Sequence, residues 1–417
     1  MTAADKTAGA KTGMFEQGTG TVVGVSPYNA ASAGGISGRF GVTADLLKSV
    51  SAGAELQVYT TLGLESNVFG DNMVNARSGT TGFTNEFDER AKDASNVSQM
   101  WLATTVGKTT VKAGRMELDT PLVFTEKWNI AYNTFEGIVA INNDLPDTTL
   151  VTAWVGKDNG HGSAATHVTP RTNTTHEGGF LLAGSPGRTV DMNSFNSFGA
   201  YDQANGAYAA GAINKSIPNT TVQAWYFNVV QAAEAMWLQA DAKVDMVSVG
   251  VQYANMDPKL ASLPTLKDST IWAAKAGIDV SGVNFYAAYS SANKDGALGF
   301  SNISTGDKTK IYTGDGAIYF DGVVTAPGVD TYKIGASGAV AGIKLAAAYV
   351  NCEDMHNKTV DGFTASATTS VGQLGLTAMY EQVNNGAADG VSPANIGSPF
   401  YNGRDIDTLR LIASLKF

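Results

Sequence analysis

The sequence predicts an all-β fold: a transmembrane antiparallel β-barrel of about 18 strands, with short periplasmic turns and long extracellular loops. Three observations predict it. Only 16% of the 417 residues are charged and 47 are glycine, whereas soluble domains carry about 25% charged residues. Apolar residues recur with a period of two, which indicates strands rather than helices. Short turns also alternate regularly with long polar connections, as in barrels that cross an outer membrane.

Composition excludes several other classes of protein. A net charge of −10 and the lack of any basic cluster argue against a nucleic-acid partner. The single cysteine, Cys352, excludes an intramolecular disulfide. The start, MTAADKTAGAKTG, lacks the apolar core of a signal peptide, so we expect a mature form. We expect one barrel over residues 19–417, preceded by a lead-in over residues 1–18.

Strands are predicted where alternate residues are apolar, as in AGAELQVYTTLGLE and QLGLTAMY. The segment 37–47 enters a short turn, so another strand must precede it if both chain ends are periplasmic; residues 19–27 are the candidate. Eighteen strands enclose a water-filled channel, whereas eight would fill with side chains. The predicted strands are 19–27, 37–47, 51–65, 96–107, 109–124, 132–142, 148–157, 206–216, 220–230, 234–243, 246–256, 269–279, 282–292, 331–339, 342–351, 361–371, 373–383 and 406–417.

The two faces of these strands are expected to meet different surroundings. The Leu, Ala, Val and Phe face should contact lipid, because a charge there costs about 2–4 kcal/mol at the bilayer midplane. Tyr253, Tyr289, Tyr349 and Tyr380 end that face and predict an aromatic girdle. A water-soluble sandwich, with the same positions in its core, is the alternative. The predicted pore-lining residues on the opposite face are Asp45, Glu55, Lys275, Lys333 and Glu381.

The alternation breaks at Arg115, within KAGRMELDTPLVFTEKWNIAYNTFEGIVA. Charged residues are mixed there with proline and aromatic residues before the strand pattern returns at Thr134. This pattern predicts a segment that leaves the barrel wall and folds into the pore.

That segment resembles the OprD-type family of outer-membrane porins and the related major outer-membrane porins of epsilonproteobacteria. The resemblance implies a bacterial outer-membrane channel of eighteen strands, narrowed by inward-folded loops, for passive diffusion of ions and small hydrophilic solutes. The residues that carry it are Gly114, Arg115, Glu117, Leu118, Asp119, Thr120, Pro121, Asn133, Thr134, Phe135, Glu136 and Gly137.

The two branches of the resemblance imply different channels. The OprD branch implies a monomer selective for small organic solutes, and the epsilonproteobacterial branch implies a cation-preferring homotrimer with calcium near its eyelet. Acidity and Gly/Ala/Thr-rich strands favour the second branch, and the first is kept as the alternative. Outer-membrane lipid and lipopolysaccharide are the expected surroundings, and no cofactor is required.

Charges around a narrow constriction set a barrier for one sign of ion. We expect acidic side chains on one side of the eyelet, Glu117, Asp119, Glu126 and Glu136, to face basic ones, Arg39, Arg115 and Arg410. Calcium prefers clustered oxygen ligands, and the candidates are Asp315, Asp321 and Asp330.

The alternatives to a porin are an outer-membrane enzyme and an adhesin or receptor. An outer-membrane enzyme would need a histidine at the barrel wall, and every histidine falls in a predicted outer loop (His161, His167, His176 and His356). No enzyme is therefore expected. An adhesin or receptor that uses its long loops is compatible with a porin. The chain ends TLRLIASLKF, which predicts a closing strand with Leu409, Leu411, Ala413, Leu415 and Phe417 toward lipid.

Overall fold

The computed structural model describes residues 2–5, 31–33, 35–60, 94–128, 130–159, 196–197, 206–259, 265–305, 308–314, 323–355, 357, 359–385 and 406–417. Within these ranges the strands form one antiparallel sheet, and a short 3-10 helix spans Val323–Thr325. None of the helical structure in these ranges is long and apolar enough to span a membrane. The strands are β1 (Thr2–Asp5), β2 (Ala31–Ala33), β3 (Ile36–Leu47), β4 (Val50–Thr60), β5 (Ala94–Val106), β6 (Thr109–Met116), β7 (Phe135–Asn142), β8 (Thr148–Asp158), β9 (Asn196–Ser197), β10 (Ala207–Asn214), β11 (Thr220–Val229), β12 (Ala233–Val244), β13 (Val247–Pro258), β14 (Ser269–Val280), β15 (Val283–Ala292), β16 (Asp330–Val340), β17 (Ile343–Glu353), β18 (Thr359–Val371), β19 (Leu374–Asn385) and β20 (Ile406–Leu415).

The sheet closes on itself because β1 pairs with β20 on one side and with β2 on the other. Only residues 34 and 35 separate β2 from β3 in the sequence, and β9 and β10 pair with consecutive parts of the same edge of β8. Counting each of these as one position reduces the 20-stranded sheet to eighteen positions. The rings of Phe40 and Phe417, from the two sides of the closure, lie 6.3 Å apart. The predicted fold class is confirmed.

Several predicted boundaries differ from the structure, two of them substantially. Thr2–Asp5, which the sequence placed in a lead-in, forms a strand beside β20. Residues 19–27, the predicted first strand, lie outside the described residues. The strand predicted over 109–124 ends at Met116, since the chain leaves the wall there.

The short turns are tight and fix the register of their hairpins. At Ser281–Gly282 the φ angles are 50° and 84°, and at Ala341–Gly342 they are 51° and 80°. Positive φ at both central residues is the geometry that matches the twist of a two-residue hairpin. A register set in this way determines which face each side chain takes along the whole strand.

An aromatic belt surrounds the outer face on the side of the long connections. Tyr253, Tyr289, Tyr349 and Tyr380 stand seven residues after turn residues 246, 282, 342 and 373, all at one level. Neighbouring rings touch sideways: Trp272 and Tyr289 at 5.2 Å, Tyr332 and Tyr349 at 6.2 Å, and Phe363 and Tyr380 at 6.4 Å. Large apolar side chains below the belt are also exposed. This surface is suited to hydrocarbon with an interfacial girdle.

The assignment of faces is tested by two neighbouring alanines of β17. Ala347 lies on the outer face, opposite Ala336 and Ala365, and Ala346 points inward. We expect Ala347→Arg to lower the free energy of unfolding in liposomes by about 2–4 kcal/mol, because the charge enters lipid. Ala346→Arg is the matched control and should cost less, since its guanidinium is hydrated. Equal losses in guanidinium titrations would contradict the assignment.

Candidate pore constriction

The first inner segment is residues 117–134, between β6 and β7. Gly114, with φ 125°, lies near the end of β6, where a Cβ would approach the Met100 carbonyl oxygen to 2.3 Å. Beyond the strand the segment folds on itself: the Thr125 amide donates to the Leu118 carbonyl at 2.8 Å. The Thr120 hydroxyl donates to the Val123 carbonyl at 2.7 Å. A glycine tolerates this backbone at the point of departure, and local hydrogen bonds replace the lost sheet pairing.

The second inner segment consists of residues 298–305 and 308–314, between β15 and β16, and it binds the first directly. The Phe124 amide donates to Asn302 Oδ1 at 3.2 Å, and Asn302 Nδ2 donates back to the Phe124 carbonyl at 2.9 Å. The Ile303 amide donates to the Leu122 carbonyl at 2.8 Å. Two chain segments far apart in sequence therefore form one internal layer.

Glu126 joins the two inner segments from a buried position. It is 3% exposed, and its carboxylate accepts from Trp128 Nε1 and Asn302 Nδ2, each at 2.8 Å. The Lys308 amide donates to it at 3.2 Å, and the Thr305 hydroxyl contacts it. The sequence predicted Glu126 at the pore surface, but the structure places it inside the layer. A buried carboxylate requires such donors.

The apolar side chains of the internal layer pack on one side of the barrel, where they join inward residues of β7 to β15 in a buried cluster. The layer also reaches the opposite side: Arg410 of β20 lies over Trp128, and Tyr132 contacts Glu55 of β4 and lies beneath Arg39 of β3. The cluster's largest fully buried members are Leu122, Phe135, Phe227, Trp237, Met256, Ile271 and Phe300.

Facing the lumen, Tyr132 connects the inner layer to the wall. Its hydroxyl contacts the Glu55 carboxylate, which also accepts from the Ser98 hydroxyl at 2.7 Å. The Arg39 guanidinium carbon lies 4.8 Å from the centre of the Tyr132 ring. Burial and the neighbouring Glu55 raise the pKa of the Tyr132 phenol well above its usual range, so this ring stays neutral.

Acidic side chains of the inner layer are paired with lysines. Glu117 contacts Lys127 and accepts from Gln99 Nε2 at 3.4 Å. Asp119 contacts Lys310, although 87% of its side chain is exposed. The predicted arrangement of acidic residues opposite basic ones is therefore replaced by local pairs of opposite charge.

Cations also lie on aromatic faces around the lumen. The Lys112 ammonium is 4.0 Å from the centre of the Trp101 ring, and that of Lys275 is 4.0 Å from Tyr312. Lys275 also pairs with Asp241 at 2.6 Å. Burial, together with the hydrogen bond that its hydroxyl donates to Asp241, raises the pKa of Tyr312 beyond its usual range. Three more cations sit over rings of the inner layer: Lys308 over Trp128, Lys310 over Phe124, and Arg410 over Trp128.

The structure separates the predicted site residues into three groups. Arg115 and Glu136 do not reach the pore: Arg115 stands opposite Met100, which is 60% exposed on the outer face, and Glu136 stands opposite Arg115. Asp315 and Asp321 lie outside the described residues, and Asp330 is exposed at the start of β16, so calcium stays a prediction. The residues that do point inward are Arg39, Asp45, Glu55, Glu117, Asp119, Lys275, Lys333, Glu381 and Arg410, the last two forming an almost buried ion pair at 3.0 Å.

Sequence reasoning missed the cations of the second inner segment, Lys308 and Lys310, and the lysine of β6, Lys112. The only signal for the first two was the KTK triplet in a long polar connection. Lys112 follows the period-two alternation of β6, which places it inward.

No family model and no curated protein sequence matches the chain. Solved structures do match it over nearly its whole length. OccK9 (OpdG) of Pseudomonas aeruginosa is 12% identical, with a TM-score of 0.68 over 99% of this chain and 95% of that one. OccAB3 of Acinetobacter baumannii is 11% identical, with a TM-score of 0.65 over 93% and 94%. P. aeruginosa OpdK with vanillate is 13% identical, with a TM-score of 0.63 over 91% and 92%.

The chain has the fold of OprD-type outer-membrane channels. At these identities the likeness concerns the fold, and it agrees with the resemblance carried by the segment 114–137. The eighteen sheet positions and the inward-folded layer described above are also the two structural features that this resemblance implies.

Two acidic residues of the inner layer, Glu126 and Glu117, allow a matched test. We expect Glu126→Gln to lower the free energy of unfolding by about 1–3 kcal/mol. The substitution replaces one buried carboxylate oxygen with an NH2 group, which then faces the hydrogen-bond donors that bind Glu126. Its channel current should also become noisier as the two segments loosen. Glu117→Gln, with a partly exposed side chain, should cost under about 1 kcal/mol. Equal losses in denaturant titrations would refute the buried role of Glu126.

Proposed function

We propose that the chain is a passive channel for small hydrophilic solutes in a bacterial outer membrane, and that it favours solutes carrying a carboxylate. One observation supports the channel: charged side chains of the inner layer, inside the closed ring, are exposed. Within the lumen, 87% of the Asp119 side chain and 54% of the Lys127 side chain are exposed. A plugged barrel would bury them.

The preference for carboxylates rests on the sign of the groups offered to a solute. In the described residues Glu117 and Asp119 are paired with lysines, Glu126 is buried and Glu136 faces outward. The acidic eyelet that motivated a cation preference is therefore not assembled from them. Cations held over aromatic rings suit a small organic anion, since the cation binds the carboxylate and the ring contacts the apolar part. OpdK, of the same fold, has been crystallised with vanillate, an aromatic carboxylate.

Reversal potentials in a salt gradient across a planar bilayer test both parts. We expect the wild type to conduct and to prefer anions. Arg39→Gln and Lys127→Gln should each shift the reversal potential toward cations, because each removes one positive charge from the lumen. Added benzoate should reduce the current of the wild type more than that of Arg39→Gln.

Lys259→Gln is the control, since Lys259 lies at the outer end of β13 and pairs with Asp257. It should leave the reversal potential unchanged. A conducting but cation-preferring wild type would refute the carboxylate preference alone, and a chain without conductance would refute the channel.

A homotrimer, bound calcium and a role in adhesion stay predictions. The adhesin alternative depends on long connections, most of which lie outside the described residues. Analytical ultracentrifugation in detergent, with calcium and with a chelator, tests the first two together.

A further inference from the structure

One pair in the aromatic belt is charged. At the height of the belt, each pair of neighbouring strands places two directly opposed side chains on the outer face. On β6 and β7 this pair is Arg115 and Glu136. The neighbouring pair on one side is Leu56–Val97, and on the other side it is Trp154–Tyr208. The remaining pairs at this level are Tyr226–Met236, Tyr253–Trp272, Tyr289–Tyr332, Tyr349–Phe363 and Tyr380–Leu409.

A third charged residue completes this outer cation site, which consists of Arg115, Glu136 and Lys157. Lys157 stands opposite Glu136 on β8, and Arg115 stands opposite it on β6. Arg115 Nη2 lies 2.6 Å from Glu136 Oε1, and Lys157 Nζ lies 3.9 Å from Glu136 Oε2. The Lys157 side chain is 51% exposed. Two cations share one carboxylate, so the site has one positive charge in excess.

The outer face above the belt is acidic elsewhere in the described strands. Lys259, at the end of β13, lies between two of these carboxylates, 3.9 Å from Glu234 and in contact with Asp257. The excess positive charge at β6 to β8 therefore stands out from the rest of this rim. The outward carboxylates are Glu234, Asp257, Asp330, Glu353 and Asp361.

We propose that Arg115 and Lys157 bind a phosphate group of an anionic lipid in the outer leaflet. The site lies at the interface on the long-loop side, where outer-membrane barrels face the outer leaflet and an Arg or Lys costs only about 0–1 kcal/mol. Phosphate accepts charge-assisted hydrogen bonds from both side chains. Basic groups beside a membrane attract such headgroups. Glu136 holds the two cations on either side of its carboxylate. The proposal rests on the outer-membrane location proposed above.

The test uses the full-length barrel in detergent, titrated with diphosphoryl lipid A and followed by native mass spectrometry. We expect Lys157→Gln to weaken lipid A binding about tenfold, the loss of one charge-assisted contact. Arg115→Lys keeps the charge but loses the guanidinium fork, and should weaken binding less. Lys259→Gln is the matched control and should bind as the wild type does. A cooperative unfolding transition is required of every variant.

Four results would overturn the proposal. The first is binding of lipid A by Lys157→Gln with wild-type affinity, and the second is equal binding of dephosphorylated and phosphorylated lipid A. Inorganic phosphate at equal concentration could displace the lipid, which would assign the site to a free anion. An oligomer lost only in Lys157→Gln would assign it to a second copy of the chain. Wild-type conductance is measured separately. A chain that conducts but does not bind lipid A therefore refutes the lipid site and not the channel.

Discussion

Closure of the sheet is the constraint on which the rest of the structure depends. In hydrocarbon every backbone amide and carbonyl must find a partner within the protein, so β20 cannot be left as an edge. β1, which is four residues long, provides that partner for residues 407–410 of β20. A closed ring of this size is too wide for wall side chains to fill. The lumen is therefore narrowed by chain segments that leave the wall.

Those segments are held by polar groups as much as by apolar packing. The buried cluster fixes them against one wall, and Glu126 and Asn302 satisfy the backbone groups that left the sheet. Fully satisfied buried networks select one arrangement because any slip leaves a group unpaired. The width of the passage is thus set by hydrogen bonds between two loops. The charges offered to a solute are set separately, by Arg39 and the lysines.

The sequence predicted most strands within a few residues, because a period-two pattern is local and the apolar face must meet lipid throughout. It failed where the cause is non-local or weak. Glu126 is charged and loop-borne, and only residues far along the chain show that it is buried. Arg115 and Glu136 were placed in the pore because charge usually avoids lipid. At the interface that cost nearly vanishes, so alternation, not charge, decides their face. The strand Thr2–Asp5 was missed because TAAD has almost no pattern, and the strand predicted over 19–27 lies outside the described residues.

The contact between Phe124 and Asn302 spans 178 residues of chain. The first inner segment is therefore made long before the partner that satisfies its buried groups, and most of the wall must form between them. Loop closure over such a separation comes late in folding. The pairing of β1 with β20 spans a still longer stretch of chain, so the two inner segments can meet before the ring is closed around them.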